Sequence, residues 1–553
     1  MDSSSRSSYL KRKELQEMTY FYRIASTKKD EEQICKLNYE TFVEEIPQHR
    51  PNDNRQLLDQ FHNENTYLLC MKDSKIIGMI AVRSTRPFSL DKKLGPIEEK
   101  LLNPPRYPVE VRLLSIEAQY RTGRPFLGML QALVNWCLKA GYDAAVISGT
   151  VRELKLYRQL GFLPFAEPTG TAEASFVPMI LTLETYENGA AGRIAKPMLN
   201  FLPGPTEIAG DVQKALSSDA VSHRSSAHAR TLRSVQNELK LLTKARHVQV
   251  LQGTGTLAND VVAAQLSRLS GKGLILVNGE FGARLCDHAS RMGLEYDSIE
   301  IEWGNSFETS ELEAVMDVGN YSWIWFVHCE TSTGVLNDLE KIRNLCLARS
   351  IQIAVDCASS LGTVAINLEE IDFAASGSGK GLGSYSGLAL VFHKQDIQPD
   401  SKIPLYLDLG NYTIKEGIPY TQSSNLLQAL EKAVQHITCH PKSHFADIRK
   451  RSNILRSAIE KMGYQILARE TNASPGILTI VPRAGESALQ LGEDLFLNGY
   501  RTHYESRYLR KRNWLQVAAM NEMSEEEVTR FLRVLERLTS FNREQIGELN
   551  IYN

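Results

Sequence analysis

No apolar run in this chain approaches the length a membrane-spanning helix needs, which excludes a helical membrane protein. Neither charge is in excess: 63 Lys and Arg face 65 Asp and Glu, so no nucleic-acid or membrane-surface role is expected. The eight cysteines (Cys35, Cys70, Cys137, Cys286, Cys329, Cys346, Cys357 and Cys439) fall into no CxxC or CxH spacing. That excludes a zinc site, and their place in apolar stretches suits free thiols in a reducing cytoplasm. Met1-Asp2-Ser3-Ser4-Ser5-Arg6 has neither an apolar core nor a cleavage-like site, so no secretory signal is expected and residues 1–19 read as a disordered tail.

What is present is a 553-residue chain with an ordinary apolar fraction of 42%, enough for two or three domains. Residues 20–187 alternate strands and helices. Thr66–Met71 and Ile76–Arg83 read as a strand pair, Val109–Ile116, Asp143–Ser148 and Val177–Leu183 as further strands, and Pro125–Ala140 as an amphipathic helix. A second helix, Arg152–Leu160, is closed by Gly161. Asn188-Gly189-Ala190-Ala191-Gly192-Arg193 is small and aperiodic, so 188–197 reads as a linker. Residues 198–553 form the second domain. Its apolar runs Gly273–Val277, Ile324–His328, Ile351–Val355 and Ala389–His393 are separated by helices, which implies a mostly parallel sheet covered on both faces. From about Ser443 a smaller α+β portion follows. The fold class is α/β throughout, with no internal repeat, so the chain reads as a fusion of two unrelated modules.

Chemistry gathers after the strands of the second module. Lys380 lies in Ser376-Gly377-Ser378-Gly379-Lys380-Gly381, and Asp356 ends Ala354-Val355-Asp356. An amine to form a Schiff base and a carboxylate to keep a pyridine nitrogen protonated are what pyridoxal phosphate requires. Thr254, Gly255 and Thr256 follow a strand and open a helix, offering backbone N–H groups and hydroxyls to a phosphate. Phe281, after the next strand, offers a flat face for a ring. Thr331 offers a hydroxyl. All lie at C-terminal strand ends, where open α/β sheets bind ligands.

With Leu199-Asn200-Phe201-Leu202-Pro203-Gly204-Pro205-Thr206, Ser222-His223-Arg224-Ser225 and Glu330-Thr331-Ser332-Thr333-Gly334, these motifs resemble the class-V aminotransferases, near the alanine–glyoxylate, serine–pyruvate and 2-aminoethylphosphonate–pyruvate branch. The resemblance implies a fold-type I homodimer with active sites at the subunit interface. It implies Lys380 as Schiff-base lysine and proton shuttle, Asp356 at the pyridine nitrogen and Phe281 stacked on the ring. Thr331 would lie near the phenolic oxygen, and Thr254, Gly255, Thr256 and Ser378 around the cofactor. Thr421, in Tyr420-Thr421-Gln422-Ser423, would reach the neighbouring subunit's phosphate. Two positions depart from the pattern. Gly379 stands where Gln or His is usual. Gln516, in Leu515-Gln516-Val517-Ala518, stands where an arginine clamps the substrate carboxylate; Arg507 and Arg512 are the nearby alternatives.

In the first module, Arg121-Thr122-Gly123-Arg124 precedes the helix Pro125–Ala140 and could hold a pyrophosphate. With Leu156-Tyr157-Arg158-Gln159-Leu160-Gly161-Phe162, this run resembles the GNAT superfamily of acyl-CoA-dependent N-acyltransferases. The resemblance implies Arg121, Thr122, Gly123 and Arg124 at the acyl donor, Tyr157 as general acid toward the leaving thiolate, and Glu110 as a possible base. Pro125-Phe126 replaces the family's second glycine, which points to an unusual donor such as an acyl carrier protein. The expected protein is a cytoplasmic, bifunctional enzyme that moves an amino group between small-molecule amine and keto substrates and acylates an amine. The alternative is a lyase or decarboxylase with a non-catalytic thioester-binding first module.

Overall fold

A computed structural model describes residues 20–46, 48–121, 123–170 and 175–551; the expected tail, residues 1–19, and Thr122 lie outside them. The chain divides into two compact units. The first takes residues up to Leu199 together with 490–501 and the chain from Arg533. The second takes 200–489 and 502–532.

The first unit is built on one seven-stranded sheet, in the order Phe21–Ile24, Asn65–Lys72, Lys75–Arg83, Pro108–Ile116, Ala144–Thr150, Phe176–Thr182 and Leu163–Pro164. Neighbours are antiparallel except Pro108–Ile116 and Ala144–Thr150, which run parallel and pair only from Pro108↔Ala144 to Glu110↔Val146. Beyond Glu110 the first of these strands carries a bulge, with Leu113 at φ 49°. The helix Arg124–Ala140 buries Met129, Leu130 and Leu133 against Leu68, Cys70, Ile80 and Val109. Gly161 ends the helix Leu154–Leu160 in the left-handed region, as its sequence signal requires.

The edge strand Phe21–Ile24 is closed by side chains from far along the chain. Tyr22 N–H donates to Asn498 Oδ1 at 3.1 Å, and Ile24 N–H donates to Asp494 Oδ1 at 3.0 Å. Capping these amides removes an edge on which another strand could pair. The segment expected to be a linker instead holds the helix Ala190–Ile194. Ala191 is buried in the first unit's core, so the small residues serve packing rather than reach.

The second unit has a seven-stranded sheet in the order Tyr296–Glu300, Gly273–Val277, Trp323–Val327, Gln352–Asp356, Phe373–Gly377, Leu388–His393 and His247–Gln252. Only Leu388–His393 runs against its neighbours. Gly273–Val277, Trp323–Val327 and Leu388–His393 are buried along their whole length, which is why they read as unbroken apolar runs. A smaller antiparallel sheet of Gln465–Ile466, Ile477–Val481 and Leu515–Ala518 belongs to the same unit. Six parallel strands with covering helices put their C-terminal ends on one side of the large sheet, and the site lies there.

Candidate active site

A cavity of about 370 Å³ is lined by Thr254, Gly255, Thr256, Asn259, Phe281, Arg284, Thr331, Asp356, Ser378 and Lys380, among others. Eight of these come from the sequence expectations. Asp356 closes its strand with its carboxylate fixed from two sides: Asn259 Nδ2 donates to Oδ2 at 2.7 Å, and the Ala358 amide donates to Oδ1 at 2.8 Å. Lys380 Nζ donates to Ser359 Oγ at 2.9 Å and to Thr331 Oγ1 at 3.3 Å, and stands 5.1 Å from the Phe281 ring centroid. Burial pushes the Lys380 amine below the ordinary lysine range, opposed by the Asp356 charge.

The helix Gly255–Leu266 begins at the cavity. Thr254 is its N-cap, yet the Thr254 hydroxyl makes no capping bond and stays available to a ligand. A Cβ on Gly377 would crowd the Gly255 amide nitrogen at 3.2 Å, so a bare glycine keeps that donor open. Gly379 has a physical reason to depart from Gln or His: a Cβ there would sit 2.0 Å from Ser386 Oγ and 3.0 Å from its Cα. Phe281 lies in the first turn of the helix Glu280–Arg291. The buried Glu330 carboxylate holds that turn, accepting the amides of Phe281 and Gly282. Burial raises the Glu330 carboxyl above its usual range.

Not every expected residue faces the cavity. Ser378 lines it, but its hydroxyl donates to the Tyr385 carbonyl and accepts the Leu388 amide. Thr421 is exposed and outside the lining. Arg507 is exposed, and Arg512 stacks on Trp303 with 3.5 Å from Cζ to the ring centroid. Gln516 is wholly buried. Its Nε2 donates to the Thr331 and Ser332 carbonyls at 2.6 and 3.2 Å and to Thr479 Oγ1 at 2.8 Å. Its Oε1 accepts from His503 Nδ1 at 2.9 Å, which fixes that imidazole with its proton on Nδ1. Gln516 therefore braces the turn that carries Thr331.

The donor set fits pyridoxal phosphate. A helix start with free amides suits a phosphate, a ring face suits a planar heterocycle, an anchored carboxylate suits a pyridinium, and a desolvated amine suits an aldehyde. The comparisons agree. Residues 208–416 match the aminotransferase class-V model. The soluble hydrogenase 42 kDa subunit of Anabaena cylindrica is 30% identical over 335 residues, covering 57% of this chain and 87% of that protein. The chain belongs to the class-V aminotransferases. Membership implies pyridoxal phosphate as cofactor. The L-aspartate–glyoxylate aminotransferase of Paracoccus denitrificans is 27% identical over 285 residues, 48% of this chain and 72% of that protein. The alanine–glyoxylate aminotransferase structure from Nostoc superposes with a TM-score of 0.57 at 25% identity, covering 62% of this chain and 96% of that one. The aminotransferase is fused to a second domain, since residues 37–131 match the acetyltransferase (GNAT) model.

In that domain Arg121 and Glu110 have structural partners. Arg121 forms a two-pronged pair with Glu45, Nη1 to Oε1 at 2.5 Å and Nη2 to Oε2 at 2.6 Å, and its Nε donates to the Ile116 carbonyl. Glu110, expected as a possible base, is 1% exposed and caps the helix Ser89–Leu94, accepting the Ser89 amide and hydroxyl and the Leu90 amide. Gly123, at φ 86°, and the exposed Arg124 start the helix, but Pro125 removes one amide from its first turn. Tyr157 packs edge-to-face on Phe162 at 6.1 Å, and burial raises its hydroxyl pKa.

The sequence reading missed Asn259, Ser359 and Arg284. Asn259 carried a signal, standing one helical turn after Gly255 and so on the face that opens at the cavity.

Proposed function

We propose that this chain transfers an amino group between a small amine or amino acid and a keto or aldehyde acceptor. The reading includes an N-terminal domain that acylates an amine from a thioester donor, acyl-CoA or an acyl carrier protein, in a cytoplasmic homodimer whose Thr421 serves the neighbouring site. The observation that carries the amino-transfer reading is the placing of the Lys380 amine and the anchored Asp356 carboxylate in the wall of one cavity beside the Phe281 face.

Pyridoxal phosphate, when bound, supplies an electron-accepting ring that lets the C–H bond beside an amine break. The residues supply the rest. Thr254, Thr256 and the amides at the helix start bind the phosphate. Asp356, kept in place by Asn259, holds a proton on the ring nitrogen. Ser359 and Thr331 aim Lys380 Nζ, which carries the proton removed from the substrate carbon. Lys380→Ala should lose the visible colour of the holoprotein and about 10³-fold or more of amino transfer to pyruvate or glyoxylate. A coloured, active variant would overturn the assignment.

A second reading of the N-terminal domain has specific support. The Arg121–Glu45 pair, the capping by Glu110 and Pro125 in the first turn each remove a group that acyl transfer would use. On that reading the domain binds a thioester without turning it over. Thioester binding without thiol release, measured with a thiol reagent on the full chain, would favour it.

A further inference from the structure

We infer that Arg284 anchors the anionic group of the amino-transfer substrate, which makes that substrate an amine or carbonyl compound bearing a carboxylate or a similar anion. The inference rests on the amino-transfer reading and deepens it.

Among the cavity-lining residues three are charged: Asp356, Lys380 and Arg284. Asp356 is tied to Asn259 and Ala358, and Lys380 to Ser359 and Thr331. Arg284 is the one left open. It is exposed at the cavity wall, and among the described residues it makes no ion pair. Its neighbour one turn earlier, Glu280, has the i,i+4 spacing at which a helical ion pair would form, and the two do not meet as one. The carboxylate that holds this turn from outside the helix, Glu330, is spent on the Phe281, Gly282 and Ser332 amides.

Position supports the same role. Phe281 and Arg284 are three residues apart on the helix Glu280–Arg291, so their side chains share a face. The Arg284 guanidinium carbon lies 4.7 Å from the Phe281 ring centroid, and Lys380 Nζ lies 5.1 Å from the same centroid. The reacting-site amine and a planar, five-donor fork therefore both lie beside one ring, and a compound whose reacting carbon is held at Lys380 Nζ can set an anion on Arg284. The guanidinium is permanently charged and matches a carboxylate by two parallel hydrogen bonds. Gln516 cannot share the task, because both ends of its amide are occupied. Arg512 is stacked on Trp303 and is not among the lining residues.

The test uses the holoenzyme and two probes of one shape, propionate and the neutral propionamide, titrated by calorimetry against the parent, Arg284→Gln and Arg284→Lys. The parent should prefer propionate. Arg284→Gln should weaken propionate by about 10- to 100-fold and leave propionamide unchanged, and Arg284→Lys should fall between. In turnover, Arg284→Gln should raise KM for carboxylate-bearing donors and leave KM for uncharged primary amines in place. A parent with no preference for propionate, or an Arg284→Gln holoenzyme that binds propionate as the parent does, overturns the inference. The colour separates the two layers: a parent that takes up no pyridoxal phosphate sinks the amino-transfer reading and this one with it. A coloured parent with an indifferent Arg284→Gln sinks this one alone.

Discussion

Asp356 and Glu110 are both buried carboxylates on sheet strands, and the two units of this chain differ in what those carboxylates leave free. Asp356 takes one hydrogen bond on each oxygen and still borders a cavity that holds an amine and an aromatic face. Glu110 accepts three bonds from Ser89 and Leu90, with Arg112 3.9 Å away, and so finishes a helix start. The arginines repeat the contrast: Arg284 is open and Arg121 is closed on Glu45. Burial and charge alone do not mark a working group. The uncommitted lone pair or N–H beside a cavity does.

The contrast can be broken at its strong end. Asp356→Ala should retain bound pyridoxal phosphate yet lose about 10²- to 10³-fold in amino transfer, because a ring nitrogen without its carboxylate partner draws electrons poorly. Equal turnover in variant and parent would place the essential carboxylate elsewhere. Next in size, Gln516→Ala leaves the Thr331 and Ser332 carbonyls without their donor. It should cost about 1–3 kcal/mol in a denaturant titration and lower turnover through the displaced Thr331. An unchanged unfolding midpoint would show the brace to be dispensable.

At the other end, Glu110→Gln should cost about 1–3 kcal/mol of stability and leave amino transfer as it was. Loss of an acyl-transfer activity with the unfolding midpoint preserved would instead make Glu110 a base. A pH-dependent effect belongs to Asp494, whose carboxyl burial raises to about 7. A raised folded-state pKa means the folded form binds the extra proton between about pH 4, the unfolded value, and pH 7. Stability of the first unit should therefore fall as pH rises through that window and level off above it. Asp494→Asn keeps an acceptor for the Ile24 amide and should flatten the dependence, by an amount on the order of a few kcal/mol at most. Parallel curves for the two proteins would remove Asp494 as the cause.

Much of the second unit was legible in the sequence because its chemistry sits where the strands of the large sheet stop. Asp356, Phe281, Lys380 and the Thr254–Thr256 turn each follow such a strand, and a parallel sheet brings those ends together. Asn259 was legible only through its helix phase relative to Gly255, and Ser359 was not legible, since its partners come from other elements. Glu110 and Arg121 were misleading for the same reason. Their residue types suit catalysis and phosphate binding, but Ser89 and Glu45, 21 and 76 residues away, consume them. Ala190 and Ala191 looked like spacer residues because small side chains suit both a flexible turn and a tight helix contact. Nor did the local pattern foretell that Asp494 and Asn498 cap a strand more than 400 residues earlier.

The central claim is that pyridoxal phosphate is joined to Lys380. Borohydride reduction of the holoprotein, followed by peptide mass spectrometry, reads that bond directly. The account predicts one modified peptide, carrying the reduced vitamin on Lys380. A modification on another lysine, or none after saturation with the cofactor, would contradict it.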